Sequence, residues 1–183
     1  MTTKKNLLNT FLLFALSISF FTLTSCGSGG KADSSSANIP AGMVAVDLSP
    51  YGMQALVNAP DSTVAPMEVT ENPLGGADIK VGMNFQITVI EGEGDIALMK
   101  QDATNDDIRK FIKYVVDEPN VLVWEWQIEG MEPEFRFYTI VKDGGKSFIV
   151  RDVEGEIFSE KAIMQMLDAA KSVRIKAPAK VDA

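Results

Sequence analysis

The chain contains no histidine, and this removes the side chain that most often serves as a general base near neutral pH and as a metal ligand. Hydrolases of the Ser-His-Asp and Cys-His types, zinc sites with histidine ligands and histidine-ligated haem are excluded with it. Cysteine occurs once, at Cys26, so no internal disulfide can form. A lone thiol in an exported protein calls for a reason such as modification. Basic residues are in deficit, with 17 Lys and Arg against 25 Asp and Glu and a formal charge of −8. Such a balance repels phosphate backbones and anionic headgroups, so neither nucleic acid nor electrostatic membrane binding is expected. Long apolar stretches are also missing. The most apolar run, Leu12 to Phe21, falls short of the roughly 20 residues a transmembrane helix needs.

That run follows Lys4 and Lys5 and has the length of a signal-peptide core. It ends in Leu23-Thr24-Ser25-Cys26, which resembles the lipobox of bacterial lipoproteins: an aliphatic residue, two small residues and an invariant cysteine. The resemblance implies that residues 1–25 are a signal peptide removed before Cys26. It also implies that Cys26 carries acyl chains of the palmitate kind on its thiol, with a further chain on its freed amine. An ordinary secretory signal, leaving Cys26 as a free thiol, is the alternative. At about 0.8 kcal/mol per buried CH₂, two or three chains hold a protein on a membrane where one would release it. Removing residues 1–25 takes away Lys4 and Lys5 and no acid, so the mature chain is two charges more negative. Gly27 resembles the residue found after the cysteine in outer-membrane-directed lipoproteins. The expected location is therefore the cell envelope, on the periplasmic side of the outer membrane, with the cell surface as the alternative that acidic residues such as Asp33 would favour.

Residues 26–43 are rich in Gly and Ser without apolar periodicity and read as a flexible tether. One domain is expected over 44–174, followed by a disordered Ala, Pro and Lys tail at 175–183. Val44 to Leu48 and Met53 to Val57 read as short strands separated by Ser49-Pro50-Tyr51-Gly52. Asn84 to Ile90 is a half-buried strand with Phe85, Ile87 and Val89 on one face. From Ile96 to Val116 the spacing of Ile108, Phe111, Ile112 and Val115 predicts an amphipathic helix, kinked at Asn105-Asp106, with Thr104 and Asp107 as a capping pair. Val121 to Ile128, Phe135 to Lys142 and Ser147 to Val153 read as three strands, joined by Gly130 to Glu134 and by Asp143-Gly144-Gly145. Ser159 caps a last helix with Ile163, Met166, Leu167, Ala170 and Val173 on one face. The expected class is α+β: an antiparallel sheet with a C-terminal three-strand meander, packed by amphipathic helices.

This order of elements over 44–174, with an early tyrosine-containing strand region, a meander and a closing amphipathic helix, resembles the PsbP-like fold. The resemblance is one of pattern, and it implies an architecture without implying binding residues or a photosynthetic role.

Several segments invite chemical readings. Gly92-Glu93-Gly94-Asp95-Ile96-Ala97 matches the dinucleotide-binding turn Gly-x-Gly-x-x-Ala between strand and helix. Glu91, Glu93 and Asp95 would oppose a pyrophosphate there and no βαβ succession follows, so the expectation is a plain turn and no cofactor. The same three acids, or Asp102, Asn105, Asp106 and Asp107, offer oxygen ligands for Ca²⁺ but lack the EF-hand spacing, and no metal is expected. Glu125, Glu132, Glu134, Glu154 and Glu156 could supply a carboxylate pair for a glycoside hydrolase. Trp124 and Trp126 share one strand face and admit two readings. Core packing under helices, with the last helix as the matching surface, is the first expectation, and a partner-binding surface is the second. The first functional expectation is a lipid-anchored envelope protein whose domain binds an envelope protein or component without catalysis. An envelope hydrolase using carboxylates and a purely structural or assembly role are the rivals.

Overall fold

A computed structural model describes residues 39–177. Cys26, the apolar run and the Gly/Ser-rich segment as far as residue 38 lie outside the described residues, as does the end of the chain from residue 178. Among the described residues are two helices and ten strands arranged in two antiparallel sheets, a mixed α+β fold.

The first sheet pairs β1 (Met43–Asp47) with β2 (Ala55–Pro60), and β2 with the short β10 (Arg174–Ile175). Between β1 and β2 the chain turns through a 3-10 helix, Ser49–Tyr51, placed where Pro50 cannot donate to a sheet ladder. The second sheet has the order β3-β4-β5-β9-β8-β7-β6. Its strands are β3 (Met67–Glu71), β4 (Ala77–Val81), β5 (Phe85–Glu91), β6 (Lys110–Glu118), β7 (Val121–Gln127), β8 (Glu134–Asp143) and β9 (Lys146–Asp152). Gly144 and Gly145, both at positive φ, make the two-residue turn from β8 to β9, the backbone geometry that matches the twist of paired strands.

The two faces of this sheet are covered differently. Helix α2 (Glu160–Ala170), capped by Ser159, buries Ile163, Met166, Leu167 and Ala170. Those side chains join Val57, Ile79, Ile87, Val123, Phe137 and Phe148 in the larger core, between the two sheets. Helix α1 (Ile96–Thr104), whose N-cap Asp95 accepts from Ala97 and Leu98 N–H, lies over the other face at β6, β7 and β8. There Ala103, Leu122, Trp124, Trp126 and Tyr138 form a second, smaller core. The tryptophans and the last helix are thus on opposite sides of the sheet. The expectation that the last helix would cover the tryptophans is therefore overturned, since α1 covers them: periodicity tells which side chains share a face and not which element packs on it.

The helix expected over Ile96 to Val116 is half helix and half strand. Thr104 is the last residue of α1 and donates back to Lys100 O at 2.9 Å, so it caps nothing downstream. From Lys110 the chain is β6, an edge strand with register shifts after Phe111 and after Tyr114. Each shift puts an extra residue into β6, so Phe111, Tyr114 and Asp117 stand opposite Trp126, Trp124 and Leu122. Bulges have stretched a period of two into a period of three, which imitates a helix in the sequence. The apparent helical face also disperses: Ile108 and Ile112 are exposed, while Phe111 and Val115 pack into different cores.

Candidate functional site

The side of the sheet carrying the tryptophans is only partly roofed, because α1 is nine residues long and ends at Thr104. A cleft of about 490 Å³ remains beside it, within the roughly 300–1,000 Å³ range of small-molecule sites. Its floor is formed by Trp124, Trp126, Arg136 and Tyr138, its roof by Met99, Asp102 and Ala103 of α1, and its walls by residues of the following loop and of the end of β9.

Local chemistry fixes each wall. After α1, the Asp106 carboxylate accepts from the backbone N–H of Ile108 at 2.8 Å and of Arg109 at 2.7 Å, folding the loop back on itself. These bonds, the one from Arg109 first, hold the Asp106 pKa below its ordinary value. The tight loop delivers the Arg109 guanidinium onto Trp126, 4.3 Å from the ring centroid, while its Nη1 also meets Asp106 at 3.3 Å. Arg136, on the neighbouring strand, stands 5.4 Å from the same ring. The two indoles meet edge to face with centroids 6.0 Å apart, a favoured aromatic geometry.

Beneath the cleft the Arg136 guanidinium binds the Asp152 carboxylate and Val153 O, and the second Asp152 oxygen accepts from Phe137 N–H at 2.9 Å. This carboxylate thereby closes the ladder where β9 ends. Burial pushes the Asp152 pKa above the usual carboxylate value, against the pull of Arg136 and of the Phe137 N–H. Arg151 completes the wall and pairs with Glu154. At the far end, Asp95 N–H donates to the Tyr138 hydroxyl at 3.3 Å, and burial raises the Tyr138 pKa.

Three donors of residues that line this cleft lie buried beneath its surface without a protein acceptor: Trp124 Nε1, Trp126 Nε1 and Arg109 Nε. Most buried polar atoms find a partner, so three orphans of one sign in the residues around one cleft distinguish it from the rest of the domain. No known protein family, curated protein or solved structure matches the chain.

The sites raised by the sequence fall as follows. Trp124 and Trp126 are buried, at 5% and 8% exposure, so they present no open stacking platform. Of the five glutamates considered for hydrolysis, Glu154 alone lines the cleft, and it is already held by Arg151. Glu125 is paired with Lys113. Gly92 to Ala97 form the turn from β5 into α1, and Gly94 has a steric reason: a Cβ there would stand 2.6 Å from the Tyr138 hydroxyl. No group of three or more acidic or thiol side chains able to hold a metal occurs among the described residues. Sequence reasoning passed over Arg109, Arg136 and Arg151. The one available signal was Arg136 set between Phe135 and Phe137, an arginine in an otherwise apolar strand.

Proposed function

We propose that this chain is a lipid-anchored protein of the cell envelope, held by acyl chains on Cys26, whose folded domain binds an envelope component and catalyses no reaction. The cleft beside α1, lined by two tryptophans and three arginines, carries the binding reading. Against catalysis stands the pairing of three of its four acids: Asp106, Asp152 and Glu154 each hold an arginine, and the fourth, Asp102, is exposed on the roof, whereas a general base needs a free lone pair within reach of substrate. In this reading β7, β8 and β9 form a C-terminal meander that presents the cleft, α1 and α2 are its amphipathic covers, and the acyl anchor keeps it near its target on the periplasmic face of the outer membrane. Among the described residues no helix is long and apolar enough to cross a membrane; in this reading the acyl chains on Cys26 supply the attachment.

The test combines anchor and cleft. Mass spectrometry of the mature N-terminus is expected to find acylated Cys26, and Cys26→Ser is expected to leave the precursor uncut. A photo-crosslinking residue at exposed Asp102, irradiated in intact envelopes, is expected to give one discrete adduct that disappears in an Arg109→Gln background. An unmodified Cys26 removes the anchor. An adduct indifferent to Arg109, or none, removes the binding role of the cleft.

A further inference from the structure

We infer that the end of the larger sheet beside which the chain enters the domain docks on the surface of a net-neutral lipid bilayer. The inference rests on the anchor proposed above and adds a second contact to it.

Strand register defines that end. Met67 stands opposite Val81, Val81 opposite Phe85, and Ile87 opposite Asp152. Glu134 stands opposite Trp126, and Gln127 opposite Lys110. The segments 61–66, 82–84, 105–109, 128–133 and 153–159 therefore all leave the sheet at one end. Each carries one large apolar side chain in solvent: Val64, Met83, Ile108, Met131 and Ile157 are 48–85% exposed. Of the turns at the opposite end, only that between β3 and β4 carries one, Leu74. Single exposed apolar residues are ordinary, but here every loop at one end of the sheet presents one. Local contacts hold these loops in place. Ala65 approaches Gly82 so closely that a Cβ on the glycine would stand 3.0 Å from its own. Gln127 Nε2 donates to Met131 O at 2.7 Å, and Phe135 N–H donates to Phe158 O at 3.3 Å.

The route from the anchor arrives beside the same end. Asp61 N–H donates to Gly42 O at 3.0 Å, and Met43 pairs with Pro60. The residues before β1 thus join the domain next to the loop that carries Val64. Fully extended, the chain from Cys26 to Ile39 spans at most about 45 Å. Acyl chains on Cys26 would therefore keep the domain within reach of the bilayer, with the apolar tips on the side that the tether feeds.

Charge selects the kind of lipid. The five segments hold seven Asp and Glu and a single base, Arg109. Anionic headgroups would repel them, so attraction must come from apolar side chains entering the interface of a net-neutral surface. A row of single side chains on separate loops suits a fluid surface that accommodates each tip by itself. A basic protein is the rival occupant, but it would need a continuous apolar patch to pack against.

The test reconstitutes the full-length protein, purified in detergent, into phosphatidylcholine vesicles. An environment-sensitive fluorescent amino acid is placed at Met83, Ile108 or Ile157, and at Leu74 as the control from the opposite end. Mass spectrometry of the same preparation reads the state of Cys26. Expected are a blue shift and quenching by spin-labelled lipid at the three tips, with an aqueous signal at Leu74. Replacing about a third of the lipid by phosphatidylglycerol is expected to reverse the shift, and high salt to restore it by screening the repulsion. Met83→Ser, read by the probe at Ile157, is expected to reduce quenching by lipid about twofold. Its circular dichroism spectrum should be unchanged, because Met83 is exposed and supports no core. Acylated Cys26 with aqueous signals at all three tips overturns the docking and leaves the anchor standing. Tips in lipid beside an unmodified Cys26 do the reverse, and aqueous tips beside an unmodified Cys26 refute both. A signal strengthened by phosphatidylglycerol overturns the choice of a net-neutral surface. Tips that shift in native envelopes and stay aqueous in protein-free vesicles overturn the lipid surface in favour of a protein partner.

Discussion

The guanidinium of Arg109 lies over the ring of Trp126 at 4.3 Å and ties the loop after α1 to the middle of β7. A cation over an indole contributes roughly 0.5–1 kcal/mol when exposed and about 2 when desolvated. Arg109 keeps about a third of its side chain in solvent, which sets the lower part of that range. Arg109→Ala is expected to cost about 1 kcal/mol in urea unfolding and to shift Trp126 emission to longer wavelength. Unchanged emission would mean that the stack does not shield the indole.

Gly94 and Gly92 belong to the same motif and separate its two readings. A Cβ on Gly94 would strike the Tyr138 hydroxyl and Ile140, whereas one on Gly92 meets nothing within 4 Å. Gly94→Ala is expected to destabilise by about 1–3 kcal/mol, the usual cost of overpacking. Gly92→Ala is expected to fall within about 0.5 kcal/mol of the parent. Equal effects in thermal unfolding would refute packing as the role of Gly94.

Asp152 and Arg136 are both almost wholly buried, with side-chain exposures of 5% and 7%. Asp152→Asn leaves the guanidinium without its counter-charge in the interior, and breaking such a pair typically costs about 3–5 kcal/mol. Because the carboxylate also accepts from Phe137 N–H, that amide should lose protection from hydrogen exchange in the variant. Retained protection would show that the asparagine oxygen can replace the carboxylate.

Asp47 and Lys176 clasp the two ends of the described domain at 2.6 Å. The Lys176 bond first, then those from Ser49, lower the Asp47 pKa from 3.8 to about 2. A depressed carboxylate pKa contributes stability that is present above the unfolded value and lost as pH falls through the folded one. The clasp is therefore expected to weaken between about pH 4 and pH 2. Asp47→Asn should flatten the stability curve in that window and leave its slope near neutrality unchanged. An identical acid limb in both proteins would remove Asp47 from the acid response.

Some features of this protein are properties of the chain itself. The missing histidine, the single cysteine and the acid excess follow from composition. Strongly local signals also read through: Ser159 at the start of α2, the Gly144-Gly145 turn, and the alternation that makes Phe85 to Glu91 a strand, although Gln86 and Thr88 are buried too, so that strand is covered on both faces and not half-buried. Each depends on a few neighbouring residues, so no distant partner can change it much. Strand β6 is the contrary case, because its period became intelligible only once β7 lay beside it and the bulges at Phe111 and Tyr114 could be placed. A nine-residue helix such as α1 is marginal alone, and its length was decided by what it packs against. The cleft is further still from the sequence. Residues 99, 109, 126, 136 and 151 belong to five separate stretches of chain, and they meet around one cleft only when the sheet sets β7, β8 and β9 side by side under α1. Local free energies act over a few residues, while a site on a sheet face is made by pairings between residues far apart in the chain, and those are settled by the burial of the whole core.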